Sequence, residues 1–252
     1  MRNIWTIAKR DFKSYFTSPI GYIIIALFMV ITAKMFNATL GAYIDRSAMF
    51  QAYGKGPNIH EGIFRPVFGN MNVILLFVVP FITMRLFAEE KKQHTLELLI
   101  TAPITMLEII FGKFLSSVLV VLAMLLPTLV YPLVVMSTAS LEIGPIFTSY
   151  LGTLLLSTSY MSLGILYSAM TDNQIIAAAL GLFSILFFWL ISWGAQAAGP
   201  VWGDVMQYAS LITHFENFSQ GVISTPDIIY YISFIGIGLF LTHRTLDSYR
   251  WR

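Results

Sequence analysis

The segment "EEKKQHTLELLITAPI", Glu89 to Ile104, lies between two apolar runs that are each long enough to cross a bilayer. On a helical projection Leu96, Leu99 and Ile100 form one stripe, whereas Leu98 points nearly opposite. Such a helix is apolar on two faces, and each face needs something to cover it. Either one face rests on the chain and the other binds a partner, or the whole helix folds back on its own bundle. These residues alone leave both possibilities open.

The composition is that of a membrane protein. Of 252 residues, 57% are hydrophobic and 11% are charged, whereas about 25% are charged in an ordinary soluble domain. A net charge of +2 is too small to suggest a nucleic-acid partner. The absence of cysteine excludes disulfides and thiolate nucleophiles. We therefore expect one all-α integral membrane domain over residues 1–252.

Intervals without charged residues locate the membrane spans, because a bilayer core takes about 20 helical residues. The last interval is the shortest, so either its helix begins at Thr225 and Pro226 or Arg244 snorkels to the headgroups. The sequence predicts six spans, within Ser14 to Ala33, Pro66 to Met84, Phe114 to Leu141, Ile143 to Thr171, Asn173 to Gly203 and Ile228 to His243.

The distribution of lysine and arginine predicts the orientation, since cytoplasmic segments carry an excess of both. Eleven of the fifteen basic residues lie in the N-terminal segment, in or near the connection after span two, and in the C-terminal tail. The other four, Lys34, Arg46, Lys55 and Arg65, surround the first loop on the opposite side. Both termini are therefore predicted to be cytoplasmic.

Residues 1–17 have the pattern of an amphipathic helix in the membrane interface. Ile4, Ala8, Phe12 and Tyr15 share one face, opposite the basic residues, and Pro19 follows where the first span begins. The helix either anchors the chain or also touches a partner.

The longer segment "EEKKQHTLELLITAPITMLEIIFGKF" resembles the coupling-helix motif of ABC-2 type transporter permeases. The whole chain, with "TSPIGY" opening span one, is similar to the branch associated with bacterial gliding motility. Many such permeases have glycine where His94 stands. The resemblance implies a cytoplasmic coupling helix within residues 88–104. It assigns the ATPase contact to Glu89, Glu90, Thr95, Leu96, Glu97, Leu98, Leu99, Pro103 and Lys113.

The same resemblance implies that ATP and Mg are bound by a separate cytoplasmic ATPase dimer, and that this chain holds no cofactor or metal. The residues agree, because Gly112-Lys113 cannot form a phosphate loop. Leu107 occupies the position of the first required glycine, and Phe114 that of the Ser/Thr. The expected location is a bacterial inner membrane.

A second permease, identical or homologous, is expected because a pathway needs two halves. Small residues that allow close helix approach are candidates for dimer packing, although the same spacing also serves packing inside one bundle. They are Gly164 and Ser168 in span four and Ala177 and Gly181 in span five.

Two outer segments are candidates for gating or partner contact. The first loop, residues 40–65, is rich in aromatic residues and glycine, and an aromatic belt explains it as well. Residues 199–217 are too few to cross and return, and resemble the re-entrant outer helices of ABC-2 permeases. Pro200, Trp202 and His214 are the candidate outer-gate residues there. Asp204, His214 and Glu216 lack the spacing typical of a metal site.

Intrinsic catalysis is not predicted. His60-Glu61 is followed by Phe64 where a metalloprotease needs its second histidine, and Gly-x-Ser-x-Gly does not occur. Charged groups that mark an ion pathway are scarce inside the spans. That scarcity suits a lipid-like substrate. It also suits a membrane subunit that uses ATP to pull on an extracytoplasmic or membrane-anchored accessory partner without moving a solute.

Overall fold

The computed structural model describes residues 2–51, 58–101, 103–195 and 197–250. Within these ranges the chain is helical and contains no strand, as the sequence predicts. A π-helical turn, His60–Phe64, and two 3-10 segments, Leu126–Leu129 and Ile191–Gly194, join or extend the α-helices. The helices are α1 Arg2–Thr17, α2 Pro19–Gln51, α3 Arg65–Thr83, α4 Arg85–Lys92, α5 Leu96–Thr101, α6 Met106–Leu125, α7 Val130–Met136, α8 Ile143–Met170, α9 Gln174–Leu190, α10 Gly199–Ala209, α11 Leu211–Ser219 and α12 Thr225–Arg250.

Five helical stretches in the described part of the chain are long and apolar enough to cross a membrane. They match predicted spans one, two, three, five and six. Predicted span four corresponds to α8, which has 28 residues but is not among the five. Its many hydroxyl and glycine residues dilute its apolar content, so a sixth span stays a prediction. The five are Gly21–Ser47, His60–Lys92, Met106–Met136, Gln174–Gly194 and Thr225–Ser248.

Helix α8 lies at the centre of the bundle, against α3, α9, α11 and α12. Its small residues allow close approach. A Cβ at Gly152 would lie 2.6 Å from Phe218 Cβ, and Ser162 Oγ would lie 2.6 Å from a Cβ at Gly238. Several of its hydroxyls bond within the helix: Ser157, for example, donates to the carbonyl of Thr153 at 2.7 Å, whereas the hydroxyls of Thr153 and Tyr160 have no partner among the described residues. Buried hydroxyls that bond within the helix can therefore replace larger apolar side chains without losing hydrogen bonds.

Helix α2 extends much further than predicted. It continues through residues 40–51, which the sequence assigned to the first loop. This part has no internal proline, and Gly41 alone does not end the helix. Tyr43 lies on α2 against the π-helical turn, where a Cβ at Gly62 would come within 2.5 Å of the Tyr43 ring. The expected aromatic loop therefore begins later, and residues 52–57 lie outside the described part.

Helix α1 packs on the beginning of α6. Ala8 and Tyr15 are buried, as the predicted apolar face requires, and Ile4 and Phe12 are half-buried. A Cβ at Gly112 of α6 would lie 2.8 Å from Ile7, so a glycine is needed there for the two helices to meet.

Candidate coupling site

A tight turn separates α4 from α5. The amide of Thr95 donates to the carbonyl of Glu90 at 2.9 Å, and the amide of His94 donates to the carbonyl of Lys91 at 3.1 Å. His94 has φ 55°, the left-handed conformation that usually favours glycine after a helix. This tight turn is thus made with a histidine at a position where glycine is usually favoured, and α5 begins at Leu96.

The two faces of α5 have different surroundings. Leu96 is 1% exposed and Leu99 is half-buried against the core, whereas Leu98 is 72% exposed. Glu97 and Thr101 are also exposed, and the Ile100 side chain lies outside the described part. The helix therefore rests on its own bundle through one face and presents Leu98 on the other.

A buried ion cluster holds the base of this segment. The ammonium of Lys113, on α6, is 2% exposed. It donates to the carbonyl of Leu86 at 2.6 Å and lies 2.8 Å from Glu90 Oε1 and 3.3 Å from Asp11 Oδ2. The cluster thus joins α1, α4 and α6 directly beneath the α4–α5 turn.

Arg10 extends the cluster to the surface. Its guanidinium lies 2.7 Å from Asp11 Oδ1 and 3.1 Å from Glu90 Oε1. Burial lowers the pKa of Arg10, but the two carboxylates outweigh burial and raise it, so the side chain stays charged. Arg10 also lines a hollow of about 260 Å³ with Glu90, Thr95, Leu98 and Leu99.

Tyr15 and Arg85 connect the same cluster to α3. The Tyr15 hydroxyl donates to the carbonyl of Ile82 at 2.6 Å, and the guanidinium of Arg85 lies 4.0 Å from the Tyr15 ring centre. Burial raises the pKa of Tyr15 to about 12, against the opposing effect of Arg85, so the hydroxyl keeps the proton that it donates.

Two details differ from the sequence prediction. Glu89 and Glu90 precede α5, as predicted, but they belong to a separate helix, α4, which continues to Lys92. Lys113 is buried, so it adds nothing to the exposed surface beside Leu98. Thr95 and Pro103 are exposed at the two ends of α5.

Asp11 is the member of the cluster that sequence reasoning missed. Its spacing from Ala8 and Tyr15 places it on the predicted apolar face of α1. A carboxylate on a buried face needs a partner. That signal was available, but the identity of the partner, 102 residues away, was not.

A sequence profile described as "ABC-2 family transporter protein" matches residues 5–241, nearly the whole chain. The chain belongs to the ABC-2 transporter family. A comparison with curated proteins finds no match. Permeases of this family are multi-pass membrane components of transporters without catalytic activity of their own, and they work with a partner ABC ATPase.

The four small residues proposed for dimer packing lie inside this ABC-2 bundle. Gly164 faces Thr83, and a Cβ added at Gly164 would overlap the Oγ1 of Thr83. A Cβ added at Gly181 would lie 3.7 Å from the Cα of Gly164. Ser168 accepts from the amides of Phe87 and Ala88 at 3.0 and 3.1 Å, and Ala177 is buried. This placement favours packing inside one bundle, the alternative that the spacing left open.

The outer-gate candidates of the ABC-2 chain fall in two different environments. Pro200 and Trp202, on α10, are exposed. His214, on α11, is buried, with Nδ1 2.6 Å from Asp227 Oδ1 and Nε2 2.8 Å from the carbonyl of Tyr208. The three residues therefore differ in burial, and their grouping as an outer gate stays a prediction.

Asp227 lies in the first turn of α12 and is buried. Its second oxygen accepts from Asn217 Nδ2 at 2.7 Å, so Asp227 ties α11 to α12. Asp204 and Glu216 are exposed, and the described residues contain no group of three potential metal ligands.

Proposed function

We propose that this chain is the permease subunit of an ABC transporter and that α5 is its contact with a cytoplasmic ATPase. The observation that carries the proposal is the opposite exposure of Leu96 and Leu98 on one short helix. A helix anchored through one face and apolar on the other is suited to enter a groove on a second protein. Burying a leucine is worth about 1.5–3 kcal/mol, enough for a hot spot of an interface.

The ion cluster supports a mechanical role for the segment. Lys113 on α6 contacts Asp11 of α1 and Glu90 of α4. A displacement of α5 that moves α4 would therefore also move α1 and the start of α6. ATP-driven closure of two ATPase subunits would in this way shift the populations of two arrangements of the bundle. Glu90 and Lys113 act through this bracing, Glu89 lies beside them on α4, and the exposed surface is formed by Thr95, Glu97, Leu98 and Pro103.

We further propose export or translocation across a bacterial inner membrane, with both termini cytoplasmic and a second permease copy or homologue completing the pathway. The charge distribution supports the orientation, since Arg10, Lys91 and Lys92 lie at the end of the bundle that carries α5. The resemblance of the sequence supports the gliding-type branch.

The interior favours an amphipathic substrate over a hydrophilic one. The buried polar groups along the middle of α8 are uncharged hydroxyls, several of which, such as that of Ser157, bond within their own helix. The same observation favours the second candidate function, in which the subunit drives an extracytoplasmic or membrane-anchored accessory protein without moving a solute.

Co-purification tests the ATPase contact. We expect Leu98→Asp to reduce the ATPase retained by affinity-purified permease by tenfold or more, with an unchanged melting temperature. Val222→Asp is the matched control, because Val222 is also an exposed apolar residue but lies in the loop before α12. Normal retention of ATPase by folded Leu98→Asp protein would refute the assignment.

Reconstitution separates the two candidate functions. Permease and ATPase in vesicles should move a fluorescent phospholipid in an ATP-dependent manner if the chain exports an amphipathic substrate. ATP turnover that changes only when a membrane partner is added, with no flux, would favour the second function.

A further inference from the structure

An apolar groove runs along the outside of the bundle between α6 and α12. Its floor is formed by Ile110 and Leu239, which are buried, and its walls include Leu107, Phe111 and Phe240, which are exposed. The hollow has a volume of about 600 Å³, within the range typical of small-ligand sites.

The groove has the length of one bilayer leaflet. Its α12 side runs from Ile232 to His243 along one helical face, a rise of about 16 Å at 1.5 Å per residue. Half of the hydrocarbon core of a bilayer is about 15 Å. Gly236 lies midway, and a Cβ placed there would meet no atom within 4 Å, so the groove is open at its centre.

One end of the groove is basic. His243 and Arg244 line it where the apolar part of α12 ends and α6 begins. Arg244 lies over the Phe240 ring at 5.2 Å, and within the described part of the chain it forms no salt bridge. Its charge is therefore available to a ligand at the level of the headgroups.

The nearest carboxylates do not neutralise this end. Glu108, beside Leu107 on α6, instead accepts from Thr105 and from Asn3 of α1. Asp247 lies about one turn beyond Arg244 on α12, and no ion pair joins the two within the described residues. An anionic group is thus the chemical complement of the basic end.

We propose that the groove binds one anionic phospholipid, with an acyl chain along Ile110 and Leu239 and its phosphate at Arg244 and His243. The combination of an apolar floor, the length of a leaflet and one uncompensated cation distinguishes this place from general lipid contact on other exposed helices. The site requires only that the chain lies in a bilayer, so it stands independently of the ATPase contact.

Native mass spectrometry of the delipidated full chain, titrated with lipid, tests the proposal. We expect phosphatidylglycerol to bind more tightly than phosphatidylcholine with the same acyl chains. Arg244→Gln should weaken the binding of phosphatidylglycerol about fivefold, which corresponds to losing about 1 kcal/mol of attraction to an anionic headgroup. The same variant should leave the binding of phosphatidylcholine unchanged. Glycerol 3-phosphate should not compete, because the acyl chain supplies most of the affinity.

Gly236→Leu tests the apolar part of the groove, because the new side chain would fill the open centre. We expect it to weaken both lipids at least fivefold without unfolding the chain, since leucine is a better helix former than glycine. Gly41→Leu and Arg46→Gln are matched controls on α2, where Gly41 is also open and Arg46 is also an exposed cation.

Three outcomes would overturn the proposal. The first is equal affinity for phosphatidylglycerol and phosphatidylcholine. The second is an equal change of lipid affinity in the groove variants and in the α2 controls. The third is that Gly236→Leu loses a permease dimer instead of a bound lipid. The last would identify the occupant as a second protein chain.

Discussion

Lys113 on α6 lies 2.8 Å, Nζ to Oε1, from Glu90 on α4, directly below the turn that leads into α5. The same ammonium also binds the carbonyl of Leu86 and approaches Asp11 of α1. Three segments far apart in the sequence are therefore joined at one buried charge. Three residues separate α4, which carries Glu90, from the start of α5.

Replacing Lys113 with methionine keeps the apolar stem but removes the charge. Two carboxylates, Asp11 and Glu90, are then left without their buried partner, and we expect the free energy of unfolding to fall by about 3 kcal/mol. Thermal unfolding of the purified chain measures the loss. Lys34→Met, at an exposed position on α2, should change stability little, and an equal effect of both variants would contradict the role of the cluster.

The left-handed backbone conformation of His94 is strained, and a residue that adopts it more easily would relieve this strain. A left-handed conformation costs an L-residue about 1–2 kcal/mol, and asparagine tolerates it better than histidine. We therefore expect His94→Asn to raise the free energy of unfolding by up to about 1 kcal/mol, without loss of ATPase binding. Gln93→Asn, one residue earlier and at negative φ, is the control. A lower melting temperature in His94→Asn would show that the imidazole makes a needed contact.

Local periodicity predicted the parts of this fold that depend on neighbouring residues. The opposite placement of Leu96 and Leu98 follows from about 100° per residue. The start of α12 at Thr225 is one of the two alternatives that the sequence left open for the last span. The length of α2 was not predicted, because the interval without charged residues ends before Lys34. Charged residues such as Lys34 and Arg46 are tolerated on an exposed helix.

Contacts between distant residues could not be predicted in this way. The pairing of Asp11 with Lys113 and of His214 with Asp227 depends on how helices pack, which periodicity within one helix does not specify. For the same reason the sequence left the small residues of α8 open to packing in a dimer or in the bundle, and the contact of Gly164 with Thr83 favours the bundle.

Gly164 is expected to tolerate no larger side chain. Gly164→Ala would push a methyl group into Thr83 on α3, and such overpacking costs about 1–3 kcal/mol. Gly41→Ala serves as the comparison, since it enters open space on α2 and should stabilise the helix by up to about 1 kcal/mol. Melting temperatures of the two variants should therefore move in opposite directions. A neutral Gly164→Ala would indicate that α3 and α8 can separate at no cost.

Asp227 is expected to hold α11 against α12 through two buried contacts. The ring of His214 lies between two oxygens, with Nδ1 2.6 Å from Asp227 Oδ1 and Nε2 2.8 Å from the carbonyl oxygen of Tyr208. Asp227→Ala removes the carboxylate and leaves His214 and Asn217 without that partner, and we expect the free energy of unfolding to fall by about 3 kcal/mol.

Hydrogen exchange should locate the loss of protection of Asp227→Ala in residues 211–219. Asp204→Ala, on the exposed surface of α10, is the matched control and should leave exchange there unchanged. Equal protection in both variants would show that apolar packing alone fixes α11.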